Sequence, residues 1–140
     1  MSEALNNLVR IGHLKPEPPN QQEYEGLRRS GEARLRDAEN SDLSAESRFD
    51  LVYNAAHALS LAALRWKGYR PNNNRHVVFQ ALAHTLDCTP AVWRVLDRCH
   101  ALRNAAEYEG RTEVDDRLLT EALAAAKIVR DRLAALGPVP

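Results

Sequence analysis

Ala45-Glu46-Ser47-Arg48-Phe49-Asp50-Leu51-Val52-Tyr53-Asn54-Ala55-Ala56-His57-Ala58-Leu59-Ser60-Leu61-Ala62-Ala63-Leu64-Arg65-Trp66 carries the clearest periodicity in the chain. Phe49, Val52, Tyr53, Ala56, Ser60, Ala63 and Leu64 recur at the i, i+3, i+4, i+7 spacing of one helix face. The spacing predicts a long helix over about 45–66. Ser44 supplies an N-cap and Glu46 a first-turn acid that suits the helix dipole. Gly68 stops the helix as a left-handed cap, with Pro71 just beyond. Ala55, Ala56, Ala58, Ala62 and Ala63 allow a second helix to approach closely.

Upstream, a helix is predicted over about 21–38. Its apolar residues are sparse (Tyr24, Leu27, Leu35, Ala38), which places it at the surface with one thin buried stripe. Gly26 and Gly31 weaken it by up to about 1 kcal/mol each relative to Ala. Before it, Pro16, Pro18 and Pro19 forbid helix. A short helix is expected around 4–10. Residues 1–20 thus read as a Pro-rich, semi-detached strap that packs on the bundle or on a partner, and residues 21–137 as the bundle itself.

Downstream, Asn72-Asn73-Asn74 reads as a polar turn. The next helix, about 76–86, carries Val77, Val78, Leu82 and Leu86. Thr89-Pro90 pairs an N-cap with proline at the first helical position. The helix that follows runs to about Tyr108 through Val92, Val95, Leu96, Cys99, Leu102 and Ala106, and Gly110 stops it. Thr112 is expected to cap the last helix, with Asp115 completing a capping-box variant. Val114, Leu118, Ala122, Val129, Leu133 and Leu136 form its buried face, and Gly137-Pro138 ends it. No segment alternates in the strand period. The expectation is an all-α antiparallel bundle of four to five main helices.

With 140 residues the chain suits one domain. Nineteen basic residues balance nineteen acidic ones, so bulk electrostatic capture of nucleic acid is disfavoured while a local basic patch stays open. Zero net charge also lets copies associate with little repulsion. No run approaches the roughly 18 consecutive apolar residues of a membrane span. Met1–Arg10 lacks the order of a signal peptide. Cys88 and Cys99 show neither metal-ligand nor redox spacing. These features point to a reduced, cytoplasmic chain with Cys99 as a core filler.

Arg103 departs from this pattern. It lies four residues after Cys99 and seven after Leu96, on the apolar stripe of its helix. A guanidinium there needs a partner or a wet cleft. It either snorkels or pairs with Glu107 or Asp50, or it is held at a cleft to bind phosphate or a partner subunit.

Leu102-Arg103-Asn104-Ala105-Ala106-Glu107-Tyr108, just before the turn into the last helix, resembles the signature of the HEPN family. Its ribonuclease members carry Arg, often followed by a polar residue such as Asn, and then a His. A second similar stretch runs from Tyr53-Asn54-Ala55-Ala56-His57-Ala58 through Leu64-Arg65 and Gly68-Tyr69-Arg70-Pro71 to His76. The resemblance covers about residues 20–136. It implies a bundle that dimerises through the motif-bearing helices, with two Arg-Asn segments facing one cleft. It also implies metal-independent RNase chemistry in active members, Arg stabilising phosphate charge and His moving the ribose hydroxyl proton. Here Tyr108 stands where the His would be. A phenol titrates near about 10 and an imidazole near about 6.5, so Tyr108 is a poor general base at neutral pH. Some family toxins carry a modified tyrosine two residues beyond the His. Gly110 occupies that place here.

The degenerate catalytic set is therefore Arg103, Asn104 and Tyr108, and the nucleotide- or RNA-binding set is Arg103, Asn104, Arg70 and Arg75. Arg65, Lys67, Arg70 and Arg75 cluster around one loop and read either as a solvated run or as a phosphate-contacting rim. Arg94 and His100 also fit the Arg-to-His spacing, earlier in the helix. His57 reads as a core or interface histidine bonded to a carbonyl, or as a catalytic one. His76 and His84 lie about 80° apart around a helix, too loose for a metal pair. Trp66 and Trp93 read as packing or interface anchors. No hydrolase triad, phosphate-cradling glycine loop, metal or cofactor is expected.

The leading expectation is a non-catalytic or weakly catalytic, nucleotide- or RNA-associated homodimer. Its partner would be a small nucleotidyltransferase in a toxin–antitoxin-like pair. One alternative is an active metal-independent RNase toxin that uses Arg103 with His57 or His100. The other is a structural dimer without nucleotide affinity.

Overall fold

The computed structural model describes residues 3–73, 77–109 and 114–140, with the backbone alone over 106–109. It is mostly helical. The elements are α1 (Glu3–Arg10), β1 (Leu14–Pro16), α2 (Gln21–Ala38), α3 (Ala45–Lys67), β2 (Tyr69–Pro71), α4 (Val77–Gln80), α5 (Leu82–Thr85), α6 (Pro90–Glu109) and α7 (Asp116–Ala134).

The predicted helix over 45–66 is α3, the centre of the bundle. The Ser44 side chain accepts from the Ser47 N–H, and Gly68, at φ 91°, closes the C-terminus. Val52, Ala55, Ala56, Leu59, Ala62, Ala63 and Leu64 are fully buried. They spread around more than one face, because α3 packs against α2, α7, α6 and the short helices.

The α2–α3 interface is the most extensive of the bundle. Gly31 sits in it. A Cβ at this position would lie 2.6 Å from Leu59 Cγ and 3.1 Å from the Ala55 carbonyl oxygen. Helix propensity treats Gly31 as a weakness, but its missing side chain is what lets the two helices meet. Arg48 Nε donates to the Ala38 carbonyl at 2.8 Å and ties the α2–α3 turn.

Three local expectations are corrected. The helix expected over 76–86 is two short ones, α4 and α5, joined at Ala81. There the His84 N–H donates to the Ala81 carbonyl three residues back, a tighter turn than the α-helical one. His76 and Asn74 lie outside the described residues. The N-cap of α7 is Asp115, whose side chain accepts from the Arg117 N–H; Thr112 and Gly110 lie outside the described residues. The absence of strand is also wrong. β1 and β2 form a short antiparallel ladder with Leu14 opposite Pro71, Lys15 opposite Arg70 and Pro16 opposite Tyr69. Three-residue strands ending in proline leave no alternation long enough to read.

The ladder fastens the N-terminal arm. Leu5 and Leu14, each 1% exposed, form a second apolar cluster with Leu64, Tyr69, Val77, Val78 and Ala81. Burying each leucine contributes about 2 kcal/mol. The arm is therefore docked on the bundle and not semi-detached. At the other end, Trp66 Nε1 donates to the carbonyls of Gly137 and Pro138, and the Val139 N–H donates to Gln21 Oε1. Cys88 and Cys99 are buried free thiols, and burial pushes the Cys99 thiol up to about 12.

No helix among the described residues is long and apolar enough to cross a membrane.

Candidate functional site

The stripe that carries Leu96 and Cys99 continues to Arg103, which is half-buried. Its guanidinium carbon lies 4.8 Å from the centroid of the Tyr53 ring. A planar cation over an aromatic face is held by the ring quadrupole, worth about 1–2 kcal/mol where water is partly excluded. Among the described residues, no carboxylate pairs with Arg103, and Asp50 is exposed. The Glu107 side chain lies outside the described residues.

Tyr53 organises an aromatic box. His57, one turn along α3, stacks on it at 6.3 Å, and His100 stacks at 6.0 Å. Phe79 of α4 meets Tyr53 edge-on at 6.0 Å and His57 edge-on at 6.0 Å. The Tyr53 hydroxyl and His100 Nδ1 are hydrogen-bonded at 2.8 Å. Asn104 Nδ2 donates to His100 Nε2 at 3.3 Å.

These residues open onto a cleft of about 660 Å³. Tyr53, Asn54 and His57 of α3, Arg70 of β2, Asn73 and Arg103 line it. The pairing expected from sequence is thus divided. Arg103 faces the cleft, whereas exposed Asn104 turns onto His100. Tyr108 lies in α6, and its side chain is outside the described residues, as is all of Arg75. His57 joins Arg103 at the cleft, and His100 sits behind Tyr53, 5% exposed. Arg94, the alternative partner of His100, lines a different groove between α6 and α7, so those two share no site.

Arg70 reaches the cleft from a second network. Its Nε and Nη2 donate to Glu17 Oε2 at 2.9 and 2.6 Å, and Nη2 donates to Glu23 Oε2 at 2.7 Å. Arg65 lies beneath, 1% exposed. Its Nε donates to Glu23 Oε1 at 2.6 Å, and its terminal nitrogens donate to the carbonyls of Glu17, Pro18 and Tyr69. Hydrogen bonding from Arg70 holds the Glu17 carboxyl below its ordinary value. Burial opposes ionisation of Glu23, but hydrogen bonds from Arg70 and Arg65 outweigh it and the carboxyl is also lowered. The same carboxylates raise Arg70 above its ordinary value, Glu17 most.

Of the described members of the basic cluster around this loop, Arg65 and Arg70 are held by partners, whereas Lys67 is exposed. Arg65 is a buried clasp and Arg70 is half-buried on two carboxylates. Lys67 sits 5.2 Å from the Trp66 ring centroid. Neither Glu17 nor Glu23 was legible as a partner, because each lies more than forty residues upstream of the arginine it binds.

Among the described residues, no group of three or more His, Cys, Asp or Glu side chains is placed to hold a metal ion. The site's polar chemistry consists of guanidinium, imidazole, phenol and amide groups. It can bind an oxyanion, stack a planar ring and exchange a proton through imidazole. No family model, curated protein or solved structure matches the chain.

Proposed function

We propose that the cleft beside Arg103 binds the phosphate of a nucleotide or of single-stranded RNA, in a cytoplasmic protein that binds more than it cleaves. The observation that carries this reading is Arg103 laid over Tyr53 at a cleft shared with His57, Asn54 and Arg70. Stacking fixes the plane of the guanidinium and leaves its edge N–H groups for an oxyanion. Asn54 and the aromatic wall offer amide and stacking contacts of the kind that hold an unpaired base. The resemblance of the segment around Arg103 and Asn104 to HEPN chains supports the further step. The protein would act as a homodimer beside a small nucleotidyltransferase in a toxin–antitoxin-like pair.

The test is titration of the purified protein with a fluorescent short single-stranded RNA and with mononucleotides, in the absence of metal. Saturable binding that Arg103→Ala weakens at least tenfold is expected, with the RNA left intact. Equal binding by wild type and Arg103→Ala would remove the reading. The second reading is metal-independent cleavage, favoured by His57 lining the same cleft as Arg103. Cleavage abolished by both Arg103→Ala and His57→Ala would put it first.

A further inference from the structure

Arg70 belongs to two recesses at once. It lines the cleft with Arg103 and Tyr53, and it also lines the neighbouring hollow with Glu17, Glu23 and Arg65. Two guanidiniums there face two carboxylates, but the two arginines are not equivalent. Arg65 is 1% exposed and spends donors on three backbone carbonyls, so it has nowhere to go. The Arg70 side chain is 30% exposed, and its hydrogen bonds end on Glu17 and Glu23 alone among the described residues.

The carboxylates differ as well. Both touch Arg65, but unequally: Glu23 accepts from Arg65 Nε at 2.6 Å, which anchors it whatever Arg70 does, whereas Glu17 Oε2 lies 3.4 Å from Arg65 Nη2, a longer ion-pair contact. Glu17 sits on the arm just after β1, is 39% exposed, and accepts two of the three Arg70 bonds. One Glu17 oxygen, Oε2, accepts from both Nε and Nη2 of Arg70, a contact that a single phosphate oxygen can reproduce. Glu17 is therefore the contact most readily exchanged for an oxyanion in the cleft. Its carboxylate would return to water at little cost, being already partly solvated.

We propose that Glu17 is a built-in competitor for the cleft. An incoming phosphate takes Arg70 from Glu17, and the arm segment around Glu17 loosens as the ligand binds. This rests on the cleft being a phosphate site. By linkage the coupling is reciprocal: what weakens the Glu17 contact strengthens the ligand, and the ligand weakens the arm. Arg65 keeps hold of the Glu17 and Pro18 carbonyls throughout, so the arm loosens without leaving.

The experiment measures inorganic pyrophosphate binding by calorimetry to wild type, Glu17→Gln, Arg103→Ala and Glu17→Gln/Arg70→Ala. Amide exchange across residues 13–20 is followed with and without pyrophosphate. The expected result is binding tightened about five- to tenfold by Glu17→Gln, with the gain cancelled when Arg70 is also removed. Faster exchange of the Glu17 amide, which donates to the Gly68 carbonyl at 2.9 Å, is expected in wild type on binding. Pyrophosphate bound by wild type through Arg103, with Glu17→Gln no tighter and arm exchange unchanged, would overturn the competitor and leave the cleft standing. No binding by wild type or by Glu17→Gln would overturn the cleft reading itself.

Discussion

Tyr53 and His100, 47 residues apart in the chain, are joined by a 2.8 Å hydrogen bond between the phenol oxygen and Nδ1. The bond joins α3 to α6 directly behind the cleft and fixes the ring on which Arg103 lies. Removing the hydroxyl while keeping the ring separates these roles. Tyr53→Phe should lower stability by about 0.5–1.5 kcal/mol, the net worth of one buried hydrogen bond, and should leave RNA binding within a few-fold of wild type. Tyr53→Leu should lower both. Urea denaturation and RNA titration on the same samples check the difference.

Arg65 is the buried member of the arm's ion-pair network, so its loss exposes the cost of unpaired groups. Arg65→Met should destabilise by about 3–5 kcal/mol, because Glu23 loses a buried partner and three carbonyls lose a donor. Arg65→Lys should recover little of this. One ammonium cannot reach acceptors spread over Glu17, Pro18, Tyr69 and Glu23. Thermal unfolding of the two variants is the check.

The two glycines of α2 should respond in opposite directions to alanine. At Gly26 nothing lies within 4 Å of an added Cβ, so Gly26→Ala should stabilise by about 0.5–1 kcal/mol through helix propensity. At Gly31 the added methyl meets Leu59 and the Ala55 backbone, so Gly31→Ala should destabilise by about 1–3 kcal/mol. Chemical denaturation of both variants measures the contrast. Stabilisation at Gly31 would show that the α2–α3 approach has slack.

Acid should loosen the arm before the bundle. The Glu17 and Glu23 carboxyls are both held below their ordinary value in the folded chain. Such a group contributes stability that is complete above the unfolded value of about 4.3 and is lost as pH falls through the folded value. Amide exchange in residues 13–20 should therefore accelerate as pH drops below about 4, after correction for intrinsic rates. A Glu17→Gln/Glu23→Gln variant should show a flatter pH dependence.

Much of the helical frame was legible. Ser44, Gly68 and Pro90 mark helix ends through local chemistry, and local chemistry is what a sequence displays. Arg103 was legible as an anomaly, because an arginine in register with Leu96 and Cys99 breaks the apolar stripe. Its seat was not, since Tyr53 lies on another helix. Arg65 looked like one more surface base at the end of α3 until the arm folded back over it. The ladder escaped notice because its strands are too short to show a period. The division between Arg103 and Asn104 followed from their adjacency, since successive helix positions point about 100° apart.

The three-residue ladder has a consequence out of proportion to its length. Arg70 stands directly opposite Lys15. A slip of one residue in β1 would turn Leu14 out of the second apolar cluster and bring a different arm residue opposite Arg70. The company that Arg70 keeps thus depends on counting residues correctly between Gly12 and Pro16. A single-residue insertion there would unseat Leu14 and displace Glu17 while leaving the helices in place.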